Sequence, residues 1–85
     1  MKVKVLYFAG LREQVGKSSE ELELPPEVST LAELRAHLVS RGGAWQSALA
    51  ETRLVRMAVN QDMAQASASI RSGDEVAFFP PVTGG

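Results

Sequence analysis

The residues best suited to chemistry are the last two, Gly84 and Gly85. Glycine has no Cβ, so a Gly-Gly tip fits a channel too narrow for any other residue and takes any backbone conformation there. What such a tip delivers is the Gly85 α-carboxylate. A free carboxylate is a poor electrophile, but a partner holding ATP can activate it as an acyl-adenylate. Glycine is also common in disordered termini, so the weight falls on what precedes the pair: Phe78-Phe79-Pro80-Pro81-Val82-Thr83. Proline fixes φ and lacks a backbone N–H, so Pro80 and Pro81 cannot continue a helix or a central strand. Each also biases the residue before it toward extended geometry. Residues 80–85 therefore read as a stiff, polyproline-like leash with a reach on the order of 20 Å, following a domain of residues 1–79.

Elsewhere the chain offers no convincing catalytic constellation. It has no cysteine, which removes disulfides, thiol nucleophiles and thiolate metal sites and agrees with a reducing compartment. The single histidine, His37, has no clustered acid beside it and reads as a surface or boundary residue; no metal site is expected. Gly10 to Ser18 imitates a phosphate-binding loop but has five residues between Gly10 and Gly16 where the motif needs four. A strand-like run follows it instead of the helix whose N-terminus would hold phosphate. Formal net charge is −1, so there is no broad basic footprint for nucleic acid. No apolar run approaches membrane-spanning length, and the start is too short and lysine-flanked for a signal peptide. The expected location is the cytoplasm.

The elements that must position the tail follow from residue periodicity. Lys2 to Phe8 alternates as a strand, with Val3, Val5 and Tyr7 on one face and Leu6 and Phe8 on the other. Leu11 and Val15 fit a short helical turn stopped at Gly16. Ser19 to Leu24 alternates again, with Leu22 and Leu24 inward and Glu21 and Glu23 forming a solvated edge. Thr30-x-x-Glu33 is a capping box. It opens the main helix, whose stripe is Leu31, Leu34 and Leu38 and whose stop is assigned to Gly42-Gly43. Trp45, Ala48 and Leu49 fit a second short helix, with Trp45 as a core plug. Leu54 to Val59 is a strand, Asn60-Gln61-Asp62 a turn, Met63-Ala64 a brief pairing, and Glu75 to Phe79 the last strand.

An N-terminal hairpin, a helix across the sheet and a C-terminal strand parallel to the first satisfy the right-handed crossover rule. The expected fold class is α+β: a β-grasp, ubiquitin-like, mixed sheet with one main helix on one face and an extended C-terminal tail. The other face stays free. Its apolar candidates are Phe8, Met63 and Phe79, near the root of the tail, and a contiguous exposed apolar patch there marks a partner-docking site.

Three stretches carry a family resemblance: Val5 to Glu13, Ala58-Val59-Asn60-Gln61, and Gly73 to Gly85 with its Phe78-Phe79-Pro80-Pro81-Val82-Thr83-Gly84-Gly85 end. Together they resemble the small, sulfur-carrying subunits of molybdopterin synthase, the MoaD family, over nearly the whole length. The thiamine-type sulfur carriers share the β-grasp and the Gly-Gly; the Phe-Phe-Pro-Pro run favours the molybdopterin branch. The resemblance implies that an E1-like adenylating enzyme, using Mg and ATP, adenylates Gly85 and that a sulfur donor leaves a thiocarboxylate there. The chain itself binds no cofactor and is not catalytic alone. It implies docking on the large subunit of molybdopterin synthase, in a heterotetramer. Phe8, Met63, Phe79, Pro80, Pro81, Val82 and Thr83 would face partners, and sulfur would pass from Gly85, with Gly84 beside it, to cyclic pyranopterin monophosphate. Two other readings stand beside it: a ubiquitin-like protein modifier, which uses the same activated terminus, and a plain binding module that uses the Pro80-Pro81 tail as a polyproline ligand.

Overall fold

The computed structural model describes residues 1–81 of the 85. Five strands form one mixed sheet in the order β2-β1-β5-β3-β4. β1 (Lys2–Tyr7) pairs antiparallel with β2 (Ser19–Glu23) and parallel with β5 (Glu75–Phe79). β3 (Arg56–Val59) pairs antiparallel with β5 and with β4 (Asp62–Ala64). The N-terminal hairpin and the parallel β1–β5 pair at the sheet centre make this the expected β-grasp.

Side chains alternate along each strand, and burial follows that alternation. Val3, Val5 and Tyr7 on β1 and Val76 and Phe78 on β5 are buried on one face. The register sets Val5 beside Val76 and Tyr7 beside Phe78, so the central pair of strands carries the core. Helix α2 (Leu31–Val39) contributes Leu31, Leu34 and Leu38, all fully buried. Its start is the predicted capping box: Thr30 Oγ1 accepts from the Glu33 N–H at 3.2 Å, and Glu33 Oε1 accepts from the Thr30 N–H at 3.1 Å. Glu33 Oε1 also accepts from the Ser29 N–H at 3.0 Å. These bonds hold its carboxyl below the usual carboxylate range.

Helix α1 (Ala9–Val15) buries Leu11 and Val15 and ends at Gly16, whose φ of 76° is the left-handed stop expected there. A strand, not a helix, follows Lys17, which agrees with rejecting a phosphate loop. The β3–β4 hairpin turns on Asn60 and Gln61, both at positive φ (50° and 73°). That is the two-residue turn whose twist matches the flanking strands.

Two boundaries differ most from expectation: the third strand begins at Arg56 and not at Leu54, and the main helix stops early. The main helix does not run to Gly42-Gly43; it ends at Ser40, whose N–H still reaches the Ala36 carbonyl. Gly42, at φ 75°, is instead the N-cap of α3 (Gly43–Leu49). Its positive φ redirects the chain so that Ala48 and Leu49 are fully buried. A Gly-Gly pair between two helical segments serves either neighbour equally in sequence, and packing of α3 decides it.

Candidate functional site

The sheet face opposite the helices is where the expected docking residues lie. Successive registers place Leu6 beside Ala77, Ala77 beside Ala58, and Ala58 beside Met63, one row across four strands. The next row toward the tail begins with Phe8, whose backbone N–H donates to the Phe78 carbonyl at 3.1 Å and so extends the parallel ladder. Phe79 is next in that row, and Arg56 pairs with Phe79 from the far side. Phe8 is 44% exposed and Met63 is 62% exposed, while Phe79 is half-buried. Phe8 and Phe79 are thus brought together. Met63 sits at the edge strand one row back, joined to them through Ala77 and Ala58. The alanines keep the middle of the face flat, and Ala58 was not singled out from sequence because its neighbours across the sheet are invisible there.

Charge on this face is sorted by position. At the end away from the tail, Lys4 lies beside Glu75 and Glu21, and Lys2 Nζ lies 3.8 Å from a Glu21 carboxylate oxygen. At the tail end, among the described residues, apolar Phe8 and Phe79 lie in one row with Arg56. Pro80 and Pro81 leave β5 there, half-buried. Val82, Thr83, Gly84 and Gly85, the carrier end and the last part of the leash, lie outside the described residues.

Behind this face, a polar network holds the core side of the same strands. Tyr7 donates its hydroxyl to Glu20 Oε2 at 2.6 Å and accepts from Trp45 Nε1 at 3.1 Å. Arg41 Nη1 binds both Glu20 oxygens, at 3.1 and 2.9 Å, and its guanidinium carbon lies 4.9 Å from the centre of the Trp45 ring. Burial raises the Glu20 carboxyl, but the hydrogen bonds from Arg41 and Tyr7, with the charges of Arg41 and Lys17, outweigh it and hold it below the usual range. Burial, with Glu20 beside it, pushes the Tyr7 phenol well up. Trp45 is therefore half-buried and hydrogen-bonded, packed against the core and not inside it as the expected plug would be. The sequence signal was weak: Glu20 and Arg41 are 21 residues apart and meet only because the α2–α3 connection folds back over β2.

The cleft found among the described residues does not include Phe8, Met63 or Phe79. It measures about 290 Å³ and opens on the helix side between α2 and β3, lined by Ala32, Arg35, Ala36, Val39 and Met57 among others. His37 is half-buried on α2. Among the described residues no group of three or more His, Cys, Asp or Glu side chains is arranged to hold a metal ion. No helix among them is long and apolar enough to cross a membrane.

The free sheet face thus carries exposed Phe8 and Met63 beside the root of the tail, and comparison with known proteins places the chain in a family. The model of the ThiS family matches residues 5–85. The chain belongs to the ThiS family. The molybdopterin synthase sulfur carrier subunit of Escherichia coli (strain K12) is 42% identical over 83 residues, covering 98% of this chain and 99% of that protein. Among solved structures, a candidate molybdopterin converting factor subunit 1 from Pyrococcus furiosus superposes with a TM-score of 0.78 at 32% identity, covering 96% of this chain and 99% of that one. The complex of subunits 1 and 2 of molybdopterin-converting factor from Helicobacter pylori 26695 contains a chain of the same fold. Its TM-score is 0.66 at 24% identity, with both chains fully covered. Within the ThiS family this sequence groups with the sulfur carrier subunits of molybdopterin synthase.

Proposed function

We propose that this chain works as the sulfur carrier of molybdenum cofactor biosynthesis, with the Gly85 carboxylate as the working group. The observation that carries this reading is the end-to-end match to a molybdopterin synthase sulfur carrier subunit. The free face beside the tail root supports it.

The chemistry runs in three steps. The Gly85 carboxylate attacks the α-phosphorus of Mg-bound ATP on an E1-like adenylating enzyme, releasing pyrophosphate and leaving an acyl-adenylate. A donor supplies sulfur at the oxidation level of sulfide, which attacks the acyl carbon; AMP departs, and a C-terminal thiocarboxylate remains. Finally the domain docks on the large synthase subunit through Phe8, Met63 and Phe79. Pro80, Pro81, Val82 and Thr83 lead the tip into that subunit's active site, where the thiocarboxylate sulfur displaces an oxygen group from cyclic pyranopterin monophosphate and water cleaves the resulting thioester, restoring the Gly85 carboxylate. Each product needs two sulfur atoms, so a heterotetramer with two carriers follows.

A thiocarboxylate is a strong sulfur nucleophile and is hydrolysed in water. A closed channel protects it and holds it at the reacting carbon. Gly84 and Gly85 suit such a channel because they add no side-chain width. The carrier then needs no cofactor and no catalytic side chain of its own; partners supply both, in the cytoplasm.

The test is intact-mass measurement on protein made in a host with the pathway, followed by reconstitution with purified large subunit and pterin precursor. A species about 16 Da heavier than the free acid, sulfur having replaced oxygen, that yields molybdopterin supports the reading. Isopeptide-linked adducts on cell proteins, with no heavier species, would replace it with a protein modifier.

A further inference from the structure

The segment leading into β3, Arg53-Leu54-Val55-Arg56, has features that the fold alone does not require. Leu54 is 81% exposed, the most exposed large apolar side chain among the described residues. Val55 packs against the core and Met57 is buried. Alternation therefore turns Leu54, Arg56 and Ala58 to the same side as Phe79. The antiparallel register pairs Arg56 with Phe79. The ladder ends at that pair: Leu54 and Val55 lead into β3, and Pro80 and Pro81 lead out of β5. An arginine thus stands beside the last strand residue before the leash, with an exposed leucine two residues ahead of it in the chain.

The segment is also held from below. Arg35, on α2, donates Nε to the Leu49 carbonyl at 2.7 Å, and Nη2 to the Ala50 and Arg53 carbonyls at 2.7 and 2.8 Å. The Arg53 N–H donates to the Ala50 carbonyl at 2.8 Å. One guanidinium so ties three carbonyls of the connection between α3 and β3, which fixes the backbone that presents Leu54. Fixing a surface loop in advance lowers the ordering cost of covering it. Charge points the same way. Arg53 and Arg56 are both exposed, and among the described residues neither has a carboxylate within ion-pair distance. The lysines at the other end of this face are matched by Glu21 and Glu75.

We infer that Leu54 and Arg56 extend the docking face into a rim around the tail exit. Its occupant is the large synthase subunit, which meets Leu54 with an apolar pocket and Arg56 with a carboxylate. The inference rests on the proposed function, because a partner that swallows the tail must close over the residues flanking its root. A rim charge of this kind selects the right partner and speeds encounter.

The experiment measures binding of the full carrier to purified large subunit at two salt concentrations, with melting curves as the control for folding. Arg56→Glu should weaken binding by about tenfold at roughly 50 mM salt, and the gap from wild type should largely close at roughly 500 mM. Leu54→Ser should weaken it by about tenfold at both. Melting temperatures should hold, since both side chains are exposed. Phe8→Asp separates the two readings. If Phe8→Asp weakens binding while Arg56→Glu and Leu54→Ser bind like wild type, the rim lies outside the interface and this inference fails alone. If none of the three matters, the docking reading falls with it. A loss for Arg56→Glu that persists undiminished at high salt overturns the carboxylate.

Discussion

The Tyr7 hydroxyl reaches the Glu20 carboxylate at 2.6 Å while the Tyr7 ring stacks on Phe78, centroids 6.3 Å apart and planes within 18°. One side chain thus ties β1 to β2 through its polar end and to β5 through its face. The consequence appears on the other side of the sheet. Phe8 and Phe79 follow Tyr7 and Phe78 in sequence, so the register that stacks the inner pair also sets the outer pair side by side.

Tyr7→Phe keeps the stack and removes the hydroxyl, leaving Glu20 and the Trp45 indole each short of a partner. The expected loss is about 1–2 kcal/mol, a fall in Tm of roughly 5–15 °C for a chain of this size. Trp45, the only tryptophan, should report the change in its fluorescence. Binding of the large subunit below the transition should be unaffected. A variant that melts with wild type would show that the hydroxyl contributes nothing.

Two limbs of pH dependence follow from the same pair. Glu20 sits below its ordinary range in the folded chain. Its contribution is therefore present above the unfolded pKa of about 4.3 and is lost as pH falls through the folded value. Glu33 and Glu23 are displaced in the same direction, so Glu20→Gln should make the acid limb shallower without removing it. Tyr7 is displaced upward. Its contribution is complete below about pH 10 and declines above it, because the unfolded phenol ionises there while the folded one stays neutral. Denaturant melts from pH 3 to 11 check both signs; an acid limb unchanged in Glu20→Gln would rule out the first.

Phe8→Asp should cut affinity for the large subunit by about a hundredfold, the effect of losing a central anchor, and should shift Tm by only a few degrees (roughly 3 °C or less). Phe79→Ala should weaken binding too. It should also cost more stability, because Phe79 is half-buried beside Arg56. Calorimetric titration and melting curves together read this. A large fall in Tm for Phe8→Asp with binding intact would mean that the phenylalanine belongs to the core.

Adding one residue after Gly85 should abolish sulfur transfer while docking persists, because the reacting carbonyl moves by about 3.5 Å. Removing Gly85 should do the same. The readouts are molybdopterin formation and, separately, complex formation with the large subunit. Transfer by the extended chain would place the working group somewhere other than the terminus.

Much of the frame was readable in one dimension because it rests on local signals. Thr30 and Glu33 form their capping box within one turn, Leu31, Leu34 and Leu38 repeat at the helical period, and Val3, Val5 and Tyr7 at the strand period. Each of these patterns concerns neighbours a few residues apart, and each reappears in the structure. The helix boundary at Gly42 was misassigned for the complementary reason. Glycine there is equally compatible with ending α2 or opening α3, and the burial of Ala48 and Leu49 settles it.

By itself the sequence determined the strand and helix periods, the stiffness of the Pro80-Pro81 exit and the family motif at Gly84-Gly85, all properties of contiguous residues. Only the tertiary structure decided which side chains share the free face. Arg56 stands beside Phe79 and Ala58 beside Met63 because strands far apart in sequence pair in one register. Glu20 meets Arg41 and Tyr7, and Arg35 meets the carbonyls of Leu49, Ala50 and Arg53, for the same reason. Such contacts depend on chain closure across tens of residues, and their energy comes from groups that no local pattern records.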